Sequence, residues 1–291
     1  MKKKLIYSLV LLTGLFLVAC GGSGKTEKQT DSTKESAKSS QTKDSTSESK
    51  TKSSATSSSI KASSSSETKT SQSQTAVKSE NNSPANQAEM VLNELNAAFP
   101  NDRLPQAILT SQTAEYLSAA TTRTADQENF RILYYAENGP ISVNDNAVNN
   151  LQPIASFEKK TYSSNEAAAN AVGQIIDNGG SKIDLGYGIT GYQQGAAGSS
   201  YLSWQEGNWS LVVRASNIEG EKAEPLAKEV VAYLEQAMLP APKNVGQITL
   251  TTTPSNSYQN NSVLWQKGSA VYTIQHFDAL QAVKMTVSTN R

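Results

Sequence analysis

The sequence of 291 residues contains only one cysteine, Cys20, and only one histidine, His276. A single sulfur cannot close an internal disulfide, although exported proteins often carry such bonds. Metal sites built from several cysteine or histidine side chains are excluded for the same reason. We therefore expect no metal, no cofactor and no catalytic pair of cysteine and histidine.

Aromatic residues are missing from a long stretch near the start of the chain, between Phe16 and Phe99. Residues 21–85 consist mainly of Ser, Thr, Lys, Glu and Gln. Such a segment buries too little apolar surface to offset the entropy lost on ordering. We predict that residues 20–85 form a disordered tether and that residues 86–291 form one globular domain.

The N-terminus combines a basic start with an apolar run. Three lysines at positions 2–4 precede the run from Leu5 to Val18. This run is shorter than the roughly 20 apolar residues that a membrane-spanning helix needs. It has the length of the hydrophobic region of a secretory signal peptide, which we assign to residues 1–19.

The apolar run ends in Leu17-Val18-Ala19-Cys20, followed by two glycines. This motif resembles the lipobox of Gram-positive bacterial lipoproteins, whose outer domains include many without a characterised role. The resemblance implies a diacylglycerol group on Cys20 and cleavage just before it. It also implies localisation at the extracellular face of the cell membrane, with the membrane as a partner through the lipid anchor on Cys20. The alternative is an ordinary signal peptide or anchor helix that contains a cysteine.

The whole chain is formally neutral, but its charge is divided unevenly. Residues 86–291 contain 13 basic and 19 acidic side chains, a net charge of −6. Nucleic-acid binding needs a positive surface, so we expect no nucleic-acid partner. The simple explanation for this negative charge is that it keeps the domain soluble. The alternative is that it repels the domain from anionic envelope polymers.

Hydrophobic periodicity predicts the elements of the globular domain. We expect a first helix at Gln87–Ala98 and a helix that begins with a capping box at Ser163 and Glu166 and extends to Asp177. The predicted strands are Gln106–Thr110, Tyr116–Thr122, Asn129–Ala136 and Ile154–Tyr162.

Two later stretches, Tyr201–Arg214 and Ser262–His276, share the motif Trp-Gln-(Glu/Lys)-Gly and continue into alternating strands. Pairing Trp204 with Trp209 across a four-residue turn, and Trp265 with Ala270 in the same way, places each of two apolar sets on one face of its hairpin. The first set is Leu202, Trp204, Trp209, Leu211 and Val213, and the second is Val263, Trp265, Ala270, Tyr272 and Ile274.

A helical pattern follows each of these hairpins. After the first, apolar residues recur from Ala223 to Met238, and after the second, Asp278 is positioned to cap a short helix that contains Leu280 and Val283. We therefore predict an α+β fold: an antiparallel sheet built from hairpin-then-helix units, with the helices packed on one face.

Candidate sites are few. Gly186, Gly188 and Gly191 match G-x-G-x-x-G, but a strand pattern follows them where a dinucleotide site needs a helix, so we predict a glycine-rich bent strand or hairpin. The tryptophans are predicted to lie in the core, with a sugar-stacking platform as the alternative. His276 continues an inward face, which indicates a packed structural histidine.

The sequence therefore names no catalytic residue, and only Cys20 is assigned a chemical role. We expect a non-enzymatic binding or structural surface domain whose partner is an unidentified envelope component or protein. The alternative is an envelope enzyme, or a receptor for a small ligand or glycan, acting at the cell wall.

Overall fold

The structure is a computed structural model that describes residues 83–122 and 126–290. The predictions for the signal peptide, the lipobox with Cys20 and most of the tether lie outside the described residues. Ten strands of the described part form one sheet. They are β1 Tyr116–Thr122, β2 Asn129–Glu137, β3 Ala155–Thr161, β4 Ser181–Gly186, β5 Ile189–Ala196, β6 Ser199–Glu206, β7 Trp209–Ser216, β8 Gly246–Thr251, β9 Asn261–Lys267 and β10 Ala270–His276.

Four α-helices accompany the sheet in the described residues: α1 Pro84–Ala98, α2 Asn165–Val172, α3 Glu224–Leu234 and α4 Ala279–Val287. Ser83 caps α1, and Pro84 occupies its first turn, where a missing N–H costs nothing. The helix thus starts before the predicted Gln87. The predicted α+β class is confirmed.

The strand order is β1-β2-β3-β10-β9-β8-β7-β6-β5-β4. Every neighbouring pair is antiparallel except β7 and β8, which are parallel. The prediction of a purely antiparallel sheet is wrong at this pair. The reason is that α3 and the loop after it carry the chain back to the end of the sheet where β7 began.

Most helices pack on one face of the sheet, where the main core lies. Val91 and Leu95 of α1, Val230 of α3 and Val283 of α4 all belong to it. Helix α2 lies on the other face, where the described residues form a small second cluster of Ala168, Val172 and Val271. The expectation that all helices share one face therefore fails for α2.

Helix α2 is also shorter than predicted. Its N-cap is Ser164, whose Oγ accepts a hydrogen bond from the N–H of Ala167 at 3.0 Å, so the predicted cap at Ser163 is off by one residue. It ends at Gly173, which adopts the left-handed conformation with φ of 64°. Glycine is the residue that tolerates this C-terminal geometry, so the helix stops before the predicted Asp177.

The two tryptophan hairpins form with tighter turns than predicted. Trp204 pairs with Leu211 and Trp265 pairs with Tyr272, which leaves two-residue turns that begin at Gly207 and Gly268. Both glycines have positive φ angles, 59° and 65°, as such turns require. The predicted registers are wrong by two residues. Because strand side chains alternate with a period of two, the predicted faces are still correct.

The glycine-rich stretch forms the turn between β4 and β5. Gly186, Tyr187 and Gly188 all have positive φ angles, and the strands on both sides pair with each other. The hairpin prediction is confirmed, and no helix opens within these glycines as a dinucleotide site would need.

Candidate functional site

A concave site lies in the described residues at the end of the sheet where β7, β8 and β10 finish and where α3 and α4 begin. Its volume is about 940 Å³, and we call it the end cleft. Hydroxyl and amide side chains dominate its lining: Thr110, Ser111, Gln112, Thr251, Thr252, Thr253, Ser255, Asn256 and Gln281. Lys222, Glu229, Asp278 and Lys284 supply charge, and Leu109, Pro225, Leu226, Pro254, Phe277, Ala279 and Leu280 supply apolar surface.

One carboxylate organises the threonine side of the end cleft. Oε2 of Glu221 accepts hydrogen bonds from the N–H of Ser216 at 2.8 Å and from the hydroxyls of Thr252 and Thr253 at 2.7 and 2.8 Å. The bond from Ser216 and those from the two threonines lower the pKa of Glu221. The carboxylate therefore stays charged and ties the loop after β8 to the loop after β7.

The opposite wall of the end cleft is the segment 106–112. This segment was predicted to start with a strand at Gln106–Thr110, and that prediction is wrong because no strand of the sheet pairs with it. Its backbone is held by side chains instead. Nε2 of Gln281 donates to the carbonyl oxygens of Ala107 at 3.0 Å and of Leu109 at 3.3 Å.

His276 contacts the backbone of the same wall. It is fully buried, and its Nδ1 accepts a hydrogen bond from the N–H of Asp278 at 2.9 Å. Nε2 therefore carries the proton and donates to the carbonyl oxygen of Ile108 at 3.1 Å. Burial lowers the pKa of His276, which favours this neutral form. The prediction of a packed structural histidine is confirmed.

The first turn of α4 borders the end cleft. Oδ1 of Asp278 accepts the N–H of Gln281 at 2.7 Å, which confirms the predicted helix cap. This carboxylate is therefore already used by the backbone. The other acidic side chain of the lining, Glu229, is exposed on α3. The lining thus offers many hydrogen-bond donors and acceptors, whereas its acidic groups are a cap and a solvated side chain.

The tryptophans do not line an open platform. Trp204 is 1% exposed, and Trp209 and Trp265 are each 5% exposed. Trp265 stacks on Tyr272 with 5.3 Å between ring centroids and 17° between ring planes. The prediction that they belong to the core is confirmed, and the alternative of a sugar-stacking platform is wrong. Met238, predicted on the inward stripe of the neighbouring helix, is 81% exposed because α3 ends at Leu234.

A buried charged pair lies deeper in the domain, and sequence reasoning missed it. Nζ of Lys159 is 3.3 Å from Oδ2 of Asp102, and the hydroxyl of Tyr272 donates to Oδ1 of Asp102 at 2.6 Å. The side chains of Lys159 and Asp102 are only 9% and 1% exposed. Burial, followed by the bond to Asp102, raises the pKa of Tyr272. The three groups satisfy one another inside the domain, so removing one of them would leave a buried charge without its partner.

The end cleft was also missed at the sequence level. Its clearest signal is the run Thr251-Thr252-Thr253-Pro254-Ser255, in which hydroxyl side chains surround a proline directly after a strand. The described residues contain no group of three or more His, Cys, Asp or Glu side chains placed to hold a metal ion. Within the same residues, no helix combines the length and apolar character needed to cross a membrane.

Comparison of the chain with protein-family models, with curated proteins and with solved structures finds no match.

Proposed function

We propose that this protein is a lipoprotein anchored through Cys20 to the extracellular face of the cell membrane, and that its domain binds a polar component of the envelope in the end cleft without catalysis. The anchor rests on the lipobox and the apolar run before it. Two acyl chains suffice for stable membrane attachment, whereas one is marginal.

The observation that carries the binding role is the end cleft itself. A volume of about 940 Å³ lies within the range of roughly 300–1,000 Å³ that is usual for ligand sites. Nine of the lining side chains carry hydroxyl or amide groups, which suit a ligand rich in hydroxyls or amides, such as a glycan or a peptide. The bonds of Glu221, His276 and Gln281 fix the cleft walls before a ligand arrives, which reduces the entropy lost on binding.

We further propose that the domain is built from hairpin-then-helix units. The hairpin β6–β7 precedes α3 and the hairpin β9–β10 precedes α4, and the Trp-Gln-(Glu/Lys)-Gly motif marks both. Because β7 and β10 run in the same direction, both helices begin at the same end of the sheet. This arrangement accounts for a cleft bounded by two helix starts.

The test is equilibrium binding of the full chain, solubilised in detergent, to fragments released by enzymatic digestion of a Gram-positive cell wall. Lys222 lines the end cleft, is exposed, and makes no ion pair among the described residues. We expect Lys222→Ala and Gln112→Ala to weaken binding several-fold at unchanged melting temperature. Lys243 is also exposed and lies outside the cleft, so Lys243→Ala is the matched control.

Two results would contradict the proposal. Binding that both cleft variants leave unchanged would place the site elsewhere. Release of shortened or newly modified fragments during the incubation would favour the alternative, an envelope enzyme.

A further inference from the structure

The two edges of the sheet are treated differently by the chain. At the β1 edge, the loop 142–144 supplies the partners that a further strand would otherwise provide. The N–H of Asn144 donates to the carbonyl oxygen of Ala119 at 2.9 Å, and Oδ1 of Asn144 accepts the N–H of Thr121 at 2.7 Å. This edge is therefore closed by the protein's own backbone and side chains.

The β4 edge has no such hydrogen-bonded cover among the described residues, although helix α3 lies against β4. Strand β4 pairs with β5 on one side, and no backbone hydrogen bond from another described element reaches its other side. Ile183 and Leu185 contact the main core, so Lys182 and Asp184 lie on the other face. Both are exposed, and neither forms an ion pair with the described residues. Oδ1 of Asp184 accepts the N–H of Gly186 at 2.9 Å, so Oδ2 remains for a partner.

The order of these residues makes the edge complementary to itself. In an antiparallel pair of two β4 strands centred on Ile183, Lys182 of each copy faces Asp184 of the other. Opposite charges directly across an antiparallel pair are stabilising, whereas like charges are destabilising. Such a pair is also isologous, with the same patch used on both copies, as two-fold symmetric dimers require.

We propose that the β4 edge binds a second copy of this chain, which joins the two sheets into one continuous sheet. Charges on an edge strand often serve to prevent such pairing. Charges prevent self-pairing of an edge most effectively when they all have the same sign, because each edge then repels its own copy. Here the two signs flank a central residue symmetrically, so self-pairing brings two attractive contacts and no repulsive one.

The first test is zero-length cross-linking with a water-soluble carbodiimide, which joins only a lysine amine and a carboxylate in direct contact. Full-length chains carrying ¹⁵N are mixed with unlabelled chains in detergent before the reaction. We expect a cross-linked peptide between Lys182 and Asp184 that carries one labelled and one unlabelled half. A link found only within single chains, or none at all, overturns the proposal.

The second test reverses the charges, with sedimentation velocity of the full chain in density-matched detergent as the readout. Lys182→Asp or Asp184→Lys alone puts like charges opposite each other twice. We expect the dimer to dissociate about tenfold more readily, a change of about 1.4 kcal/mol shared by the two pairs. The double variant K182D/D184K restores both attractive pairs and is expected to restore the dimer. Lys267→Asp, at an exposed residue on another strand, is the control.

Thermal unfolding of each variant separates dimerisation from folding. Recovery of the mass in the double variant, beyond that of either single variant, supports the edge contact whatever the melting temperatures are. A monomeric wild-type chain, a dimer insensitive to all the charge changes, or a double variant that folds and stays monomeric overturns the proposal.

Discussion

Nε2 of His276 lies 3.1 Å from the carbonyl oxygen of Ile108, across 168 positions of sequence. The bond connects the last strand of the sheet to a loop that precedes the first, and that loop is one wall of the end cleft. The chain has no other histidine. Any effect of histidine protonation on the free energy of unfolding therefore comes from His276.

We predict that stability falls as the pH drops below about 6.5, the ordinary pKa of histidine in an unfolded chain. Burial lowers the pKa of His276 in the folded state, so the unfolded state binds the proton more readily. By linkage, the contribution of His276 to the free energy of unfolding is fully present above the unfolded pKa. It is lost as the pH falls from the unfolded pKa toward the lower folded pKa. Urea unfolding between pH 7.5 and 5.5 measures this slope.

The control for this prediction is His276→Gln, which keeps a side-chain amide near Ile108 and removes the titrating group. The variant should be less stable than the wild type at pH 7.5 and should lose the slope. An equal slope in both proteins would assign the pH dependence to carboxylates.

Removing a core tryptophan should be costly. Trp204 is 1% exposed, and its Nε1 donates to Oε1 of Glu206 at 2.8 Å. We expect Trp204→Ala or Trp265→Ala to reduce the free energy of unfolding by about 3–5 kcal/mol, as for other buried large aromatics. Chemical unfolding followed by circular dichroism measures the loss, and native tryptophan emission should be blue-shifted. Met238→Ala, at an exposed apolar residue, should change stability by less than about 0.5 kcal/mol.

The buried pair of Asp102 and Lys159 predicts an asymmetry between neighbouring lysines. Lys159→Met leaves the carboxylate of Asp102 buried without its cation, and we expect a loss of about 3–5 kcal/mol in the free energy of unfolding. Lys160 is exposed and lies 5.1 Å from the ring centroid of Tyr162, so Lys160→Met should cost less than about 1 kcal/mol. The double variant Asp102→Asn with Lys159→Met should recover part of the loss. Equal effects of the two lysine changes would contradict the role of burial.

Cys20→Ala should abolish lipid attachment, because the sequence offers no other thiol. We expect no incorporation of a labelled fatty acid and retention of the signal peptide, measured by gel fluorography and intact mass. A labelled Cys20→Ala protein would disprove the assignment of Cys20.

Truncation separates the predicted tether from the fold. A chain that begins at residue 82 keeps Ser83, whose Oγ accepts the N–H of Asn86 at 3.3 Å, and should unfold cooperatively with the midpoint of the full chain. A chain that begins at Asn86 loses this cap, and we expect it to be less stable by about 1 kcal/mol. A large loss in the first chain would mean that the tether packs on the domain.

The elements that the sequence predicted well are those set by local pattern. Strand β1 has the predicted bounds, and the inward faces of the two tryptophan hairpins follow from alternation alone. Turn length could not be predicted in this way, because a register shift of two residues leaves every side chain on the same face. The predicted four-residue turns were wrong, but the set of core residues did not change.

The parts that could not be predicted depend on contacts between distant segments. The apolar alternation around Ile108 resembles a strand, yet the N–H groups of Gln106 and Ala107 donate to Oγ of Ser288 at 2.9 and 3.2 Å. These bonds replace the ladder of a sheet. The end cleft likewise assembles from four separate stretches of chain, so no local pattern could indicate it.

The position of β10 in the sheet has a consequence for the order of assembly. Strand β3 pairs with β2 on one side and with β10, the last strand of the chain, on the other. A chain exported with its N-terminus first would complete β1–β3 early and keep one edge of β3 open until its final residues emerge. Unpaired strand edges on incompletely folded chains promote aggregation. If the proposed export holds, the N-terminal strands β1–β3 are exposed to misassociation until the C-terminal strand arrives. We therefore expect C-terminal truncation to be far more damaging than its length suggests.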